Sequence, residues 1–186
     1  MSSDCDNDLH CFKATRAMKD ADEVGRCRSC GINLVDWERV HQQDLTDVQY
    51  TFEALKHEMI RHHFWHVEID QKAINYARRK GISGLEKAIW PRIRNSVGSG
   101  HNPYDGRQTP MEGSGNPIHY GQHATASCCR KCMEYWHGIP LRSNLTDDQI
   151  DYLSELVVLY IKDRLPDLEH EGVYVPPIRR KEETYS

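Results

Sequence analysis

Long apolar runs are missing from this 186-residue chain. No window approaches the roughly 18 apolar residues that a membrane-crossing helix needs. The opening from Met1 to Asp8 is polar and acidic, without the apolar stretch of a secretion signal behind it. Strand-like alternation is scarce as well, which leaves a mainly α fold as the expectation. A surplus of positive charge is also absent: 24 Lys and Arg stand against 28 Asp and Glu, for a net charge of −4. That balance excludes a chain that coats nucleic acid indiscriminately, so any such contact needs a local basic patch. Hydrophobic residues make up only 38% and mean hydropathy is −0.74, so the surface is strongly polar. The length still suffices to bury a core, and no internal repeat divides it.

Cysteine, by contrast, is present in number. Seven cysteines stand at positions 5, 11, 27, 30, 128, 129 and 132. The count is odd and the arrangement partly CxxC, which without a leader reads as metal chemistry rather than a disulfide framework. A cytoplasmic protein is the expectation. A redox pair or an iron–sulfur cluster fits less well, because neither a thioredoxin-like strand–helix setting nor ferredoxin spacing occurs.

Residues 1–24 lack periodicity and read as a flexible N-terminus. Residues 25–170 read as a single zinc-binding domain of about five helices, and 171–186 as a flexible charged tail. Thr46 and Gln49 have capping-box spacing, followed by the stripe Leu45, Val48, Phe52, Leu55 and Met59. A second helix is expected over 71–80, stopped by Gly81. Ser83 and Glu86 open a third, which Pro91 shortens or kinks. From Asn95 to Gln122 six of the twelve glycines and three of the eight prolines gather, the texture of a long polar loop. A short helix ends near Gly138. Thr146 and Gln149 open the last helix, with the stripe Ile150, Leu153, Val157 and Ile161 before Pro166.

Zinc favours four thiolate or imidazole ligands in a tetrahedron, and a CxxC turn offers two. Cys27 and Cys30 form one such turn, with Gly31 allowing the chain to reverse; Cys129 and Cys132 form another that runs into a helix. The expectation is one Zn²⁺ shared by Cys27, Cys30, Cys129 and Cys132. Closing the long loop costs only about 0.6 kcal/mol per doubling of its length, against about 10 kcal/mol from zinc. The alternative is a local site drawing on His123, Cys128 and His137. The stretch His57-Glu58-Met59-Ile60-Arg61-His62-His63-Phe64-Trp65-His66 lacks the spacing of a zinc-protease helix, although Glu58, His62 and His66 would share one helical face.

Three further blocks stand in order: Asp105-Gly106-Arg107-Gln108-Thr109-Pro110, then Gln122-His123-Ala124-Thr125-Ala126-Ser127-Cys128-Cys129-Arg130-Lys131-Cys132, then Trp136-His137-Gly138-Ile139-Pro140. Over about residues 100–165 the chain resembles an uncharacterised bacterial domain-of-unknown-function family with the pattern DGxQTP, HATATCCxxC and WHGIP. Ser127 departs from its threonine. The resemblance implies a cytosolic bacterial protein and supplies no activity. Shorter relatives lack the N-terminal CxxC, which favours a local site at the second knuckle.

Three functions follow as expectations. The first is a zinc-stabilised nucleic-acid-binding module using Arg130 and Lys131 with Arg78, Arg79, Lys80, Arg92 and Arg94. The second is a metal-dependent nuclease or hydrolase in the 103–137 region, with Asp105, Arg107, His123 and His137 as its chemical groups. The third is a structural adaptor whose tail meets a protein partner.

Overall fold

The computed structural model describes residues 3–101, 108–111 and 113–178. Eight α-helices and two 3₁₀ turns form among these residues, with isolated β-bridges but no strand. The helices are α1 (Arg16–Asp20), α2 (Trp37–His41), α3 (Val48–Lys56), α4 (Met59–His66), α5 (Gln71–Val97), α6 (Pro117–Ala124), α7 (Arg130–His137) and α8 (Asp147–Arg164). No helix of the described residues is long and apolar enough to cross a membrane.

The body is built on α5 and α8, which pack along each other, with α6 against both and α4 against α6. The expected stripe of α8 is buried in full: Ile150, Leu153, Val157 and Ile161 join the core with Leu85 and Ile89 of α5, Ile161 beside those two and Val157 against Gly121 of α6. Thr146 and Gln149 close a reciprocal capping box at its start. At the first helix the cap differs from the expectation. Asp44, not Thr46, caps the 3₁₀ turn Leu45–Asp47 that leads into α3, and Leu45 is exposed.

Gly81 breaks α5, as its position in the sequence predicts. Its φ of 66° lies in the left-handed region, where glycine carries no side-chain penalty. The N–H groups freed by the break, on Ile82 and Ser83, bond the carbonyls of Glu169 and His170. A Cβ on Gly81 would lie 2.4 Å from the Glu171 backbone. Gly81→Ala is therefore expected to destabilise the fold by about 3 kcal/mol in urea unfolding. Gly113→Ala, with φ of 77° but open space around it, costs about 1 kcal/mol from strain alone. Pro91 does not stop the helix, which continues to Val97.

The Gly/Pro-rich segment is less of a loop than expected. At its end Asn116 caps Pro117–Ala124 as α6, whose residues are all buried; proline at the first helical position needs no N–H partner. The first residues also join the core. Phe12 is buried edge-on to Trp37 and Trp136, and His10 is paired through its backbone with residues 57 and 59. After α8, Val173 N–H bonds Arg78 C=O beside the α5 break; residues 179–186 lie outside those described.

Candidate metal centres

Four donors meet near the N-terminus: Cys5, His10, Cys27 and Cys30, whose ligating atoms all lie within 4.8 Å of one another. Local turns bring them there. Cys5 begins a 3₁₀ turn, and Asp8, with φ of 59°, reverses the chain so that Leu9 N–H bonds Asp4 C=O. His10 then lies against residues 57–59, exchanging backbone hydrogen bonds with His57 and Met59. On the other side Gly31, at φ 75°, completes the knuckle, with its N–H on Cys27 C=O at 2.8 Å. The Cys5 and Cys27 sulfurs are 3.8 Å apart, and Cys30 Sγ is 3.6 Å from His10 Nδ1. A zinc tetrahedron with bonds of about 2.3 Å to sulfur and 2.0 Å to nitrogen has edges of about 3.8 and 3.5 Å. The donors are spaced for such an ion.

The next layer fits the same chemistry. Asp8 Oδ1 lies 3.1 Å from His10 Nε2, which leaves Nδ1 facing the sulfurs, and Asp8 Oδ2 lies 2.7 Å from His57 Nδ1. A carboxylate behind a ligating imidazole fixes its tautomer and orientation. The thiols are unequal. Burial pushes Cys5 up to about 12, helped by the neighbouring Cys30 and Cys27 sulfurs. Burial also opposes ionisation of Cys27, but backbone N–H groups of Cys30, Cys11 and Ser29 outweigh it and hold this thiol at about 5. Sulfurs this close repel when ionised, and a bound cation removes that cost.

A second group gathers Cys128, Cys129 and Cys132, again with sulfurs within 4.8 Å. Cys129 is the N-cap of α7 and Cys132 lies one turn inside it. Cys129 is held well below the usual thiol range by hydrogen bonds from the Cys128 and Cys132 thiols, with the N–H groups of Cys132 and Lys131 adding to them; Cys128 is pushed up in turn. Thr109 Oγ1 donates to Cys128 C=O, and Gln108 Oε1 accepts from Arg130 N–H. Arg61 closes one side. Its guanidinium donates to the His123 carbonyl and to Glu58 at 3.1 Å, and its Nη2 lies 3.9 Å from Cys132 Sγ. Glu58 is fully buried and accepts from Tyr135 Oη and Trp136 Nε1, both at 2.6 Å.

The expected shared centre does not assemble: Cys27 and Cys30 join Cys5 and His10, while Cys129 and Cys132 join Cys128. The reason is local. Each CxxC turn finds further donors in its own end of the chain: Cys5 and His10, about 20 residues earlier, for the first, and the adjacent Cys128 for the second. His123 and His137 join neither group. His123 is stacked on Phe64 at 4.9 Å, with Nε2 3.0 Å from Pro110 C=O. His137 is fully buried, Nε2 facing Thr125 C=O at 3.0 Å. Asp105 and Arg107 lie outside the described residues. Glu58, His62 and His66 do not share a helical face, because the chain turns at His57–Glu58 before α4 starts; His62 and His66 alone stack, at 4.1 Å. Cys5 and His10 were not singled out from the sequence; the spacing C-x4-H before Cys27-x-x-Cys30 was the available signal.

Two of the basic residues expected to meet nucleic acid are engaged within the fold. Arg130 is fully buried and donates to the carbonyls of Pro140, Ser143, Leu141 and Val97. Arg94 pairs with Asp147. Arg78 to Lys80 lie just before the α5 break at Gly81, whereas Arg92 and Arg94 lie in the helical segment after it.

His137 carries a pH signature. Burial lowers it to about 4, below the ordinary 6.5, so the unfolded chain binds the proton more tightly. Its contribution is present above pH 6.5 and is lost as pH falls toward 4, by about 3 kcal/mol in all. Urea unfolding of His137→Gln is expected to show a shallower loss over that window.

A search of solved structures finds none that matches this fold. Residues 49–162 match the family described as Domain of unknown function (DUF4186), a longer stretch than the 100–165 expected from sequence blocks. The matched span holds Glu58, Arg61, Cys128, Cys129 and Cys132 and omits Cys5, His10, Cys27 and Cys30. The chain thus belongs to the DUF4186 family, with its three-thiol group inside the family segment and its four-donor group ahead of it.

Proposed function

We propose that this protein is a zinc-binding protein with two metal centres of different kinds. Cys5, His10, Cys27 and Cys30 hold zinc in a closed, four-ligand structural site. Cys128, Cys129 and Cys132 hold a second thiophilic metal ion and leave a fourth position, the arrangement of catalytic rather than structural zinc. The observation that carries this reading is the gathering of donors into two separate groups, each within 4.8 Å, with 3.8 Å between the Cys5 and Cys27 sulfurs and 3.6 Å between Cys30 and His10 in the first. Sulfurs this close suit a single ion better than a multi-iron cluster, whose ligands stand farther apart. This second centre lies within the 103–137 region, which supports a metal-dependent enzyme there. The nucleic-acid reading loses support because Arg130 is committed to four backbone carbonyls.

Metal analysis of protein purified without chelator tests this. Two equivalents are expected in the native chain, one in Cys30→Ser and one in Cys129→Ser. A single equivalent that both variants abolish would restore the shared centre and end the two-centre reading.

A further inference from the structure

The three-thiol group differs from its N-terminal counterpart in what surrounds it. Its residues are unequally covered: Cys128 and Cys129 are buried, whereas Cys132 is partly exposed. Among the three, Cys132 is thus the residue that solvent reaches. Beside it lies Arg61, only 4% exposed, with Nη2 3.9 Å from Cys132 Sγ. Its Nε pairs with Glu58 and its Nη1 bonds the His123 carbonyl, so the Nη2 edge is the part that faces negative charge collected on a thiolate-rich metal. Three thiolates also make a divalent ion electron-rich and soft. Such an ion acidifies bound water less than one held by imidazoles does, and it prefers another soft donor.

Resting on the two-centre reading, we propose that the fourth position of the Cys128/Cys129/Cys132 centre takes an external thiol, bound as its thiolate, with Arg61 as the counter-charge. The bond formed is metal–sulfur, and the thiol proton leaves to solvent. The ligand class is a small thiol reaching the ion past Cys132, and the bound sulfur is held in the nucleophilic, ionised form.

Cobalt-substituted full-length protein tests the proposal, with 2-mercaptoethanol as the probe and azide and imidazole as comparisons. Two cobalt equivalents are loaded and sulfur-to-cobalt charge-transfer absorption is followed during titration. Addition of 2-mercaptoethanol is expected to raise the second centre's band by about a third, as three sulfurs become four. Azide and imidazole produce smaller changes. In Cys129→Ser the thiol response disappears while the N-terminal centre keeps its cobalt spectrum. Arg61→Lys, which retains the charge but loses the fork, binds the thiol about tenfold more weakly with cobalt content unchanged. Two equivalents of cobalt with a spectrum indifferent to thiol would overturn the inference and leave the two-centre reading standing. One equivalent in the native chain would overturn the two-centre reading itself.

Discussion

Replacing His10 with alanine is expected to remove one zinc equivalent and to loosen the chain from residue 3 to about residue 35, while α5, α6 and α8 keep their protection in amide hydrogen exchange. Two contributions to holding this segment can be compared. Phe12 is buried against Trp37 and Trp136, worth about 2–3 kcal/mol. Zinc in the proposed four-donor centre would contribute about 10 kcal/mol. The metal term is the larger by several-fold, so its loss decides the outcome. The same exchange pattern is expected when native protein is treated with a strong chelator, with a fall in Tm at constant pH. Asp8→Asn is milder: the imidazole loses its carboxylate partner, and zinc affinity falls about 10- to 100-fold. If segment 3–35 stayed protected in His10→Ala, the closed centre would not be what holds it.

Much of the helical body was legible in the sequence, because its signals are periodic. The α8 stripe and its capping box are found where the residues place them, and the left-handed Gly81 interrupts α5 as expected. Pro91 misled because a proline inside a helix can be tolerated when neighbours hold the segment, and Ile89 and Ile93 on either side are fully buried. The metal groups were half legible. A CxxC turn has a fixed spacing and announces itself, so Cys27, Cys30, Cys129 and Cys132 were found. Their partners do not share a periodicity. Cys5 and His10 reach the knuckle through a left-handed Asp8 and a backbone pairing with residues 57–59, neither of which leaves a pattern in sequence. That same pairing ends the helix before Glu58 and turns it inward. A carboxylate that periodicity puts on a histidine face is instead buried among Arg61, Tyr135 and Trp136.

The buried pair Glu58 and Arg61 supports the other large expected effect. Arg61→Ala leaves a fully buried carboxylate with only the Tyr135 and Trp136 donors. Breaking one half of a buried pair costs about 3–5 kcal/mol, more than the pair as a whole contributes. It also frees the His123 carbonyl and removes the cation beside Cys132. Glu58→Gln strands the buried Arg61 cation in the same way and is expected to cost about 3 kcal/mol, the lower end of that range, since the amide oxygen still accepts from Trp136 or Tyr135. The double variant Glu58→Gln/Arg61→Ala should then be more stable than the sum of the two single losses predicts, because no unpaired charge remains in the interior. Urea unfolding of the four proteins measures this coupling. Additive losses would mean that the two charges are solvated independently. A favourable coupling ties the loop that follows His57, itself braced by His10, to the residue that stands over Cys132.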